Sequence, residues 1–289
     1  GEARNNHLDR ARTWNPGGVL AGAKHITLAG SVAYISGEFG VAVVDLERPL
    51  EPKLVTVIPF DGARSTALQF RYLYVTDKTG FHVVDVTNPT TPRKLIDASV
   101  PLADAQRIYV ARTFAYVAAG RDGLVLVDVE NPESPKIYTK FTAAGRINDA
   151  RDVVVGSTNA SLFAYVADGR NGLKVVQLTS PDSQPGFYGF SPDPKPELIA
   201  WYRTAKPATA LSKGLDRDRG VDESGNQIAV FGRLGSRPFT QEEQHKLYLN
   251  PTGNPWFVSD EIDVDAFVPG TPVPRLPAMP QEQAQVPSP

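Results

Sequence analysis

The chain has 289 residues, a formal net charge of −2 and no cysteine. The length allows a substantial hydrophobic core, whereas the interspersed charges provide no basic face for nucleic-acid binding and no apolar stretch approaches the roughly 18 residues of a membrane span. Without cysteine, this chain cannot supply disulfides, a thiol nucleophile, thiolate metal sites or covalent attachment of c-type haem.

An N-terminal extension, residues 1–21, precedes a pattern that occurs four times. Each copy has a small residue before a short strand, a tyrosine in the second strand, a glycine in the next turn, an apolar third strand and a proline. A period of about 40 residues with only strand content is typical of the blades of a β-propeller. The copies lie near 22–60, 61–100, 103–142 and 148–202, and their tyrosines are Tyr34, Tyr74, Tyr116 and Tyr165.

The third strands of the copies are strongly apolar, and the first three end in aspartate: Asp45, Asp85 and Asp128. Two of these strands are continuously apolar, as expected of a sheet with both faces covered. An aspartate at a strand end can accept N–H groups of the following turn. We therefore expect a structural role for these three carboxylates, which repeat at one position in successive blades.

The segment Leu124–Asp128, followed by Asn131-Pro132, resembles the LVIVD repeat of bacterial and archaeal surface proteins. Val41–Asp45 and Phe81–Asp85 match it with small changes, and Leu173–Gln177 lacks the aspartate. The resemblance implies a β-propeller and export from the cytoplasm, and it offers no shared catalytic residues. The expected fold is all-β, with four clear four-stranded blades that occupy residues 22–204.

The repeat pattern fails after residue 204. Residues 205–268 are expected to form either a degenerate fifth blade or a separate packing segment. Residues 269–289 are rich in proline, and such a tail is extended unless it lies against something else. Both chain ends are therefore interpreted as straps that contact neighbours in an assembly. The chain closes as a small propeller, or another polypeptide supplies the missing blades.

The connection that ends the fourth copy is long and carries three aromatic residues, Phe187, Tyr188 and Phe190. Long loops on a rigid repeat scaffold often form binding surfaces. Two interpretations are open: the aromatics bind a partner protein, or they cover the edge of their own blade.

A second candidate surface follows the small residues that open the inner strands. The next residues are Lys24, Arg64, Gln106 and Arg151. If these side chains line one mouth of the central channel, they form a polar, partly cationic ring. Such a ring could bind an anion or an acidic segment of a partner, or the side chains could be solvated in local ion pairs.

The best candidate metal site is the acidic loop that contains Asp216, Asp218 and Asp222. Clustered oxygens on a flexible loop suit calcium, and these residues fit positions 1, 3 and 7 of a calcium-binding loop. However, Gly220 is one position early and Gln227 occupies the position of the final glutamate. Calcium binding and a solvated, salt-bridged loop both remain open, and no other cofactor is expected.

These observations favour a non-catalytic propeller that serves as a structural or protein-interaction subunit of an extracellular, cell-surface or periplasmic assembly. An alternative follows from the family resemblance, because some similar propellers are associated with multihaem cytochromes in extracellular electron transfer. A third possibility is a hydrolase or lyase with its site in the central channel. No converging acid and base groups on the inner strands support that possibility.

Overall fold

A computed structural model describes residues 13–157, 161–185 and 192–212, with short pieces at 233–234, 237–238, 240, 242 and 249–253. Its regular structure in these ranges is almost entirely β. Four antiparallel sheets of four strands each follow the chain order, so that every strand pairs with the next one along the sequence. This arrangement confirms the predicted all-β fold with four four-stranded blades.

The blades are numbered in chain order. Blade 1 contains β1 (Ala23–Ala29), β2 (Val32–Gly37), β3 (Gly40–Asp45) and β4 (Lys53–Ile58). Blade 2 contains β5 (Ser65–Gln69), β6 (Tyr72–Thr76), β7 (Gly80–Asp85) and β8 (Arg93–Pro101). Blade 3 contains β9 (Ile108–Ala111), β10 (Phe114–Ala118), β11 (Leu124–Asp128) and β12 (Lys136–Phe141). Blade 4 contains β13 (Asp152–Ser157), β14 (Leu162–Ala167), β15 (Leu173–Thr179) and β16 (Glu197–Tyr202).

The blades stand side by side around an axis. Their innermost strands contact one another in the order β1, β5, β9 and β13. A separate hydrophobic cluster fills each of the three junctions between neighbouring blades. Tyr34, Tyr74 and Tyr116 are each buried in the junction between their own blade and the next one. The hydrophobic core is therefore divided among the junctions, as expected of a propeller.

The aspartates that end the third strands play the structural role predicted for them. The Asp45 carboxylate accepts the backbone N–H of Glu47 at 2.7 Å. Asp85 accepts the N–H of Thr87 at 2.9 Å, and Asp128 repeats the contact with the residue two positions ahead, also at 2.9 Å. Each carboxylate thus fixes the turn that leads to the outermost strand.

The segment after blade 4 follows the same inter-blade pattern. Gly169 and Ala208 form an antiparallel bridge, as Gly120 and Ala150 do one blade earlier. Ala150 lies just before the innermost strand of blade 4. Ala208 therefore occupies the place where the innermost strand of a fifth blade would begin. Further along the chain, β17 (Arg233–Leu234) and β18 (Arg237–Pro238) form a two-stranded hairpin.

Several sequence predictions fall outside the described residues. They concern most of the N-terminal extension and the proline-rich tail, the aromatic loop with Phe187, Tyr188 and Phe190, and the acidic loop with Asp216, Asp218 and Asp222. These remain predictions. Within the described ranges, the structure contains no helix whose length and apolar character would suit a membrane crossing.

Candidate functional site

The four residues predicted to line the channel mouth meet at one cavity. Lys24, Arg64, Gln106 and Arg151, one from each blade, all line a space of about 640 Å³. Each directly follows a small residue at the entrance to an innermost strand. The repeat places equivalent residues around one axis, so a shared sequence position becomes a shared site.

Carboxylates pair with the predicted cations. Glu38 lies 2.5 Å from the Lys24 ammonium, and Asp104 lies 2.7 Å from the Arg64 guanidinium. The side chain of Arg151 is paired in the same way, with Asp149 at 2.5 Å. These contacts match the ion-pair interpretation of the ring. Such pairs also fix flexible cationic side chains in defined orientations around the cavity.

Two further arginines line the cavity and were not singled out from the sequence. Arg107 lies one residue beyond Gln106, and Arg170 lies in the hairpin after β14. The Nη1 atom of Arg107 is buried and has no hydrogen-bond partner within the described structure. Its Nε atom is 3.8 Å from the Asp152 carboxylate, too far for a good hydrogen bond. Arg170 forms no ion pair with another described residue.

In each copy, the residue directly after the predicted channel-lining residue is also polar, and Arg107 is one of these four residues. The residues at this position are His25, Ser65, Arg107 and Asp152. The Ser65 hydroxyl is buried without a partner among the described residues, as is one nitrogen of Arg107. A polar residue at this point in all four copies was a visible sequence signal for a polar layer around the axis.

Burial and the charge of Arg107 set the protonation of this layer. Burial, followed by the nearby Arg107 guanidinium, lowers the pKa of His25 to about 4. His25 is thus neutral at pH 7, and its Nδ1 atom accepts the backbone N–H of Thr66 at 3.2 Å. Burial raises the pKa of Asp152 above its usual value, although hydrogen bonds from backbone N–H groups and the charge of Arg107 oppose this. The shift at His25 leaves Arg107 as the one positive charge among these four residues at neutral pH.

We call the face of blade 1 that points away from blade 2 the leading face. Its innermost strand is exposed, whereas Ala33, Ala42 and Val44 on the same face are buried. Leu28 on this face is 55% exposed. The equivalent residues of the next blades are almost fully buried, at 3% for Leu68, 1% for Val110 and 0% for Val155. Ile26, two positions earlier, is 54% exposed, whereas its counterparts are buried. At its innermost strand, the leading face therefore exposes apolar side chains at positions that are buried in blades 2, 3 and 4.

At the opposite end of the four blades, apolar side chains are again more exposed than their equivalents in the closed junctions. The trailing face of blade 4, which points away from blade 3, carries Tyr165. This ring is 39% exposed, whereas the equivalent Tyr116 is fully buried. Leu173 and Val175 are only partly buried on the same face. Among the described residues, the short segment around Ala208 is the start of a fifth blade position, and the side chains of this face are only partly buried.

No group of three or more histidine, aspartate or glutamate side chains in the described ranges is placed to hold a metal ion. The predicted calcium loop lies outside these ranges. Its metal binding therefore stays a prediction.

Several solved structures are similar to this chain at low sequence identity. They include a candidate 6-phosphogluconolactonase from Bacteroides uniformis, at 12% identity and TM-score 0.46, with 62% of this chain and 56% of that chain covered. The β-propeller domain of Cps50 (Swd1) from Myceliophteria thermophila has 16% identity and TM-score 0.40, with coverages of 54% and 52%. AztD from Citrobacter koseri has 15% identity and TM-score 0.39, with coverages of 65% and 48%. The chain thus spans about half the length of each of these structures.

No curated protein matches the sequence. The sequence profile of the LVIVD repeat, in contrast, matches three times, at residues 62–95, 103–142 and 148–189. These matches correspond to blades 2, 3 and 4, and they include the Leu124–Asp128 strand on which the resemblance was based. Blades 2, 3 and 4 of this β-propeller therefore carry three copies of the LVIVD repeat.

Proposed function

We propose that the chain is a non-catalytic interaction subunit of an extracytoplasmic assembly, and that its leading face binds a partner protein. The observation that carries the proposal is the exposure of Ile26 and Leu28 at positions that are buried in every later blade. Apolar surface removed from water contributes roughly 25 cal/mol per Å². A partner that packs on the innermost strand of this face would gain stabilisation by removing Ile26 and Leu28 from water.

The occupant that fits this face best is a β-sheet of another protein. The exposed part of the leading face belongs to strand β1, and in the later blades the equivalent strand is covered by the sheet of the preceding blade. Exposed sheet surfaces of this kind are natural sites of association. The partner is therefore expected to present an apolar sheet surface rather than a single extended peptide.

Two further properties support the non-catalytic, exported character. The strand-end aspartates are occupied in turns, and the cationic residues at the channel mouth are held by carboxylates such as Asp104 and Asp149. Neither group resembles an acid–base pair poised for proton transfer. The LVIVD family resemblance and the absence of cysteine fit a protein that works outside the cytoplasm.

The test is a double substitution on the leading face, Ile26→Asp with Leu28→Asp, in the full chain produced in its native host. Both side chains are already exposed, so the variant is expected to fold and to keep the circular dichroism spectrum of the wild type. We expect the wild-type chain to elute in a larger complex during size-exclusion chromatography and the variant to elute alone.

The matched control replaces an exposed apolar residue on an outer strand, Ile96→Asp in β8, where the side chain is also solvent-exposed. This control is expected to keep the complex. The proposal is wrong if the variant with both charges on the leading face still elutes with its partners in the same proportion.

A further inference from the structure

We propose that the cavity at the channel mouth binds a small oxyanion, a molecule that carries phosphate or carboxylate groups. This inference goes beyond the proposed interaction role, because it concerns the cavity at the channel mouth and not the leading face. Five cationic side chains from all four blades line the cavity, whereas Asp149 is the one carboxylate among the described lining residues. The cations are Lys24, Arg64, Arg107, Arg151 and Arg170.

The carboxylates around the cavity position the cations. Asp104 and Asp149 contact Arg64 and Arg151 by ion pairs. Each of these guanidinium groups has five N–H donors, more than one carboxylate can accept. Donors therefore remain available to a ligand after the ion pairs have formed. Arginine held by a carboxylate is also pre-organised, which reduces the entropy lost when an anion binds.

Arg107 and Arg170 provide positive charge that protein groups do not fully use. A buried guanidinium nitrogen without an acceptor is costly, because its water has been removed and nothing has replaced it. Arg107 has such a nitrogen in the described structure, and other atoms of this residue line the cavity, where an oxyanion would balance the charge of the guanidinium. Arg170 lies at the rim, exposed and without an ion pair to a described residue, where it can close over the ligand.

The size of the cavity favours a small molecule over a protein segment. Its volume of about 640 Å³ falls within the range of roughly 300–1,000 Å³ that is usual for small-molecule pockets. Arginine side chains bind phosphate and carboxylate in a two-pronged geometry, through charge-assisted hydrogen bonds. Several arginines around one cavity suit a ligand with more than one anionic group.

Isothermal titration of the full chain with inorganic phosphate and with citrate, at low ionic strength, tests this inference. We expect saturable binding of at least one of the two, with one site per chain, and the stronger ligand shows whether phosphate or carboxylate chemistry is preferred. The variants Arg107→Gln and Arg170→Gln are each expected to weaken binding at least tenfold. Arg93→Gln, on an exposed outer strand, is expected to leave binding unchanged.

Arg107 is partly buried, so its variant could also lose stability. The rim variant Arg170→Gln avoids this difficulty, because Arg170 is exposed and its loss should not affect folding. As a second measurement, the same ligand concentration should raise the melting temperature of the wild type more than that of either cavity variant. The inference is overturned if neither anion binds saturably, or if both cavity variants bind as tightly as the wild type.

Discussion

Leu211 donates its backbone N–H to the carboxylate of Asp152 at 2.8 Å, and this bond joins the segment after blade 4 to the innermost strand of blade 4. The same relationship exists at the first junction. There the N–H of Thr66 in blade 2 is donated to the side chain of His25 in blade 1. Two chemically different acceptors thus serve one position of the repeat, at the first junction and again after blade 4.

The first prediction concerns Asp152. The substitution Asp152→Ala leaves the Leu211 N–H without its acceptor and removes the carboxylate nearest to the Arg107 guanidinium, so we expect the free energy of unfolding to fall by about 1–3 kcal/mol. Urea unfolding measures this loss. Asp122→Ala removes an exposed carboxylate that pairs with Lys140 and should cost less than about 1 kcal/mol. Equal losses for the two variants would contradict the role given to Asp152.

The second prediction concerns pH and His25. The pKa of His25 in the folded chain is about 4, below its ordinary 6.5, so the unfolded chain binds the proton more readily. The contribution of His25 to stability is therefore complete above about pH 6.5 and decreases as the pH falls towards 4, by up to about 3 kcal/mol. Urea unfolding at several pH values in this window measures the decrease.

The matched variant is His25→Asn. Its Oδ1 atom can accept the Thr66 N–H in place of the histidine Nδ1, but the side chain does not titrate. We expect this variant to lose the part of the pH dependence that falls between pH 6.5 and 4. An unchanged slope would assign that dependence to other groups.

The third prediction compares two tyrosines at the same position of the repeat. Tyr116→Ala removes a ring buried in the junction between blades 3 and 4 and should cost about 3–5 kcal/mol, as large core truncations do. Tyr165→Ala removes a ring on the open trailing face and should cost about 1 kcal/mol. The difference between the two unfolding free energies is the measurement. Equal costs would mean that the trailing face is covered.

The fourth prediction concerns two glycines with left-handed backbone. Gly123 has φ = +73°, and a Cβ atom there would lie 2.5 Å from the carbonyl oxygen of Phe141 on the neighbouring strand. Gly145 has φ = +84°, and a Cβ atom there would meet nothing within 4 Å. Alanine at either position carries about 1 kcal/mol of backbone strain.

Gly123→Ala must also displace the β12 strand, so we expect it to lose more stability than Gly145→Ala by at least about 1 kcal/mol. Thermal unfolding of the two variants under the same conditions compares them. Equal melting temperatures of the two variants would show that the close approach of β12 does not explain why position 123 is glycine.

Much of the fold could be predicted from the sequence because the repeat determines it. The spacing from turn glycine to strand end places the ends of β3, β7 and β11 correctly, whereas β15 continues two residues beyond the predicted end at Gln177. The sequence did not reveal that Tyr165 is more exposed than Tyr116. The two residues have the same local pattern, and their difference arises only from what lies beyond blade 4.

The candidate site was predicted in part. Lys24, Arg64, Gln106 and Arg151 were found because they share one repeat position. Arg107 and Arg170 were missed for different reasons. Arg107 occupies a position filled by four different polar residues, which hides the periodicity. Arg170 lies in a hairpin, and the sequence alone does not show that this turn reaches the central cavity.

The most direct test of the account is the reactivity of a single cysteine at the leading face. The chain has no cysteine of its own, so Leu28→Cys introduces one unique thiol, and Leu68→Cys places the matched thiol in a closed junction. We predict that a maleimide labels Cys at position 28 rapidly in the isolated chain and slowly in the native assembly, and that it labels position 68 slowly in both. Slow labelling of position 28 in the isolated chain would show that the chain covers its own leading face, and it would contradict the proposed role.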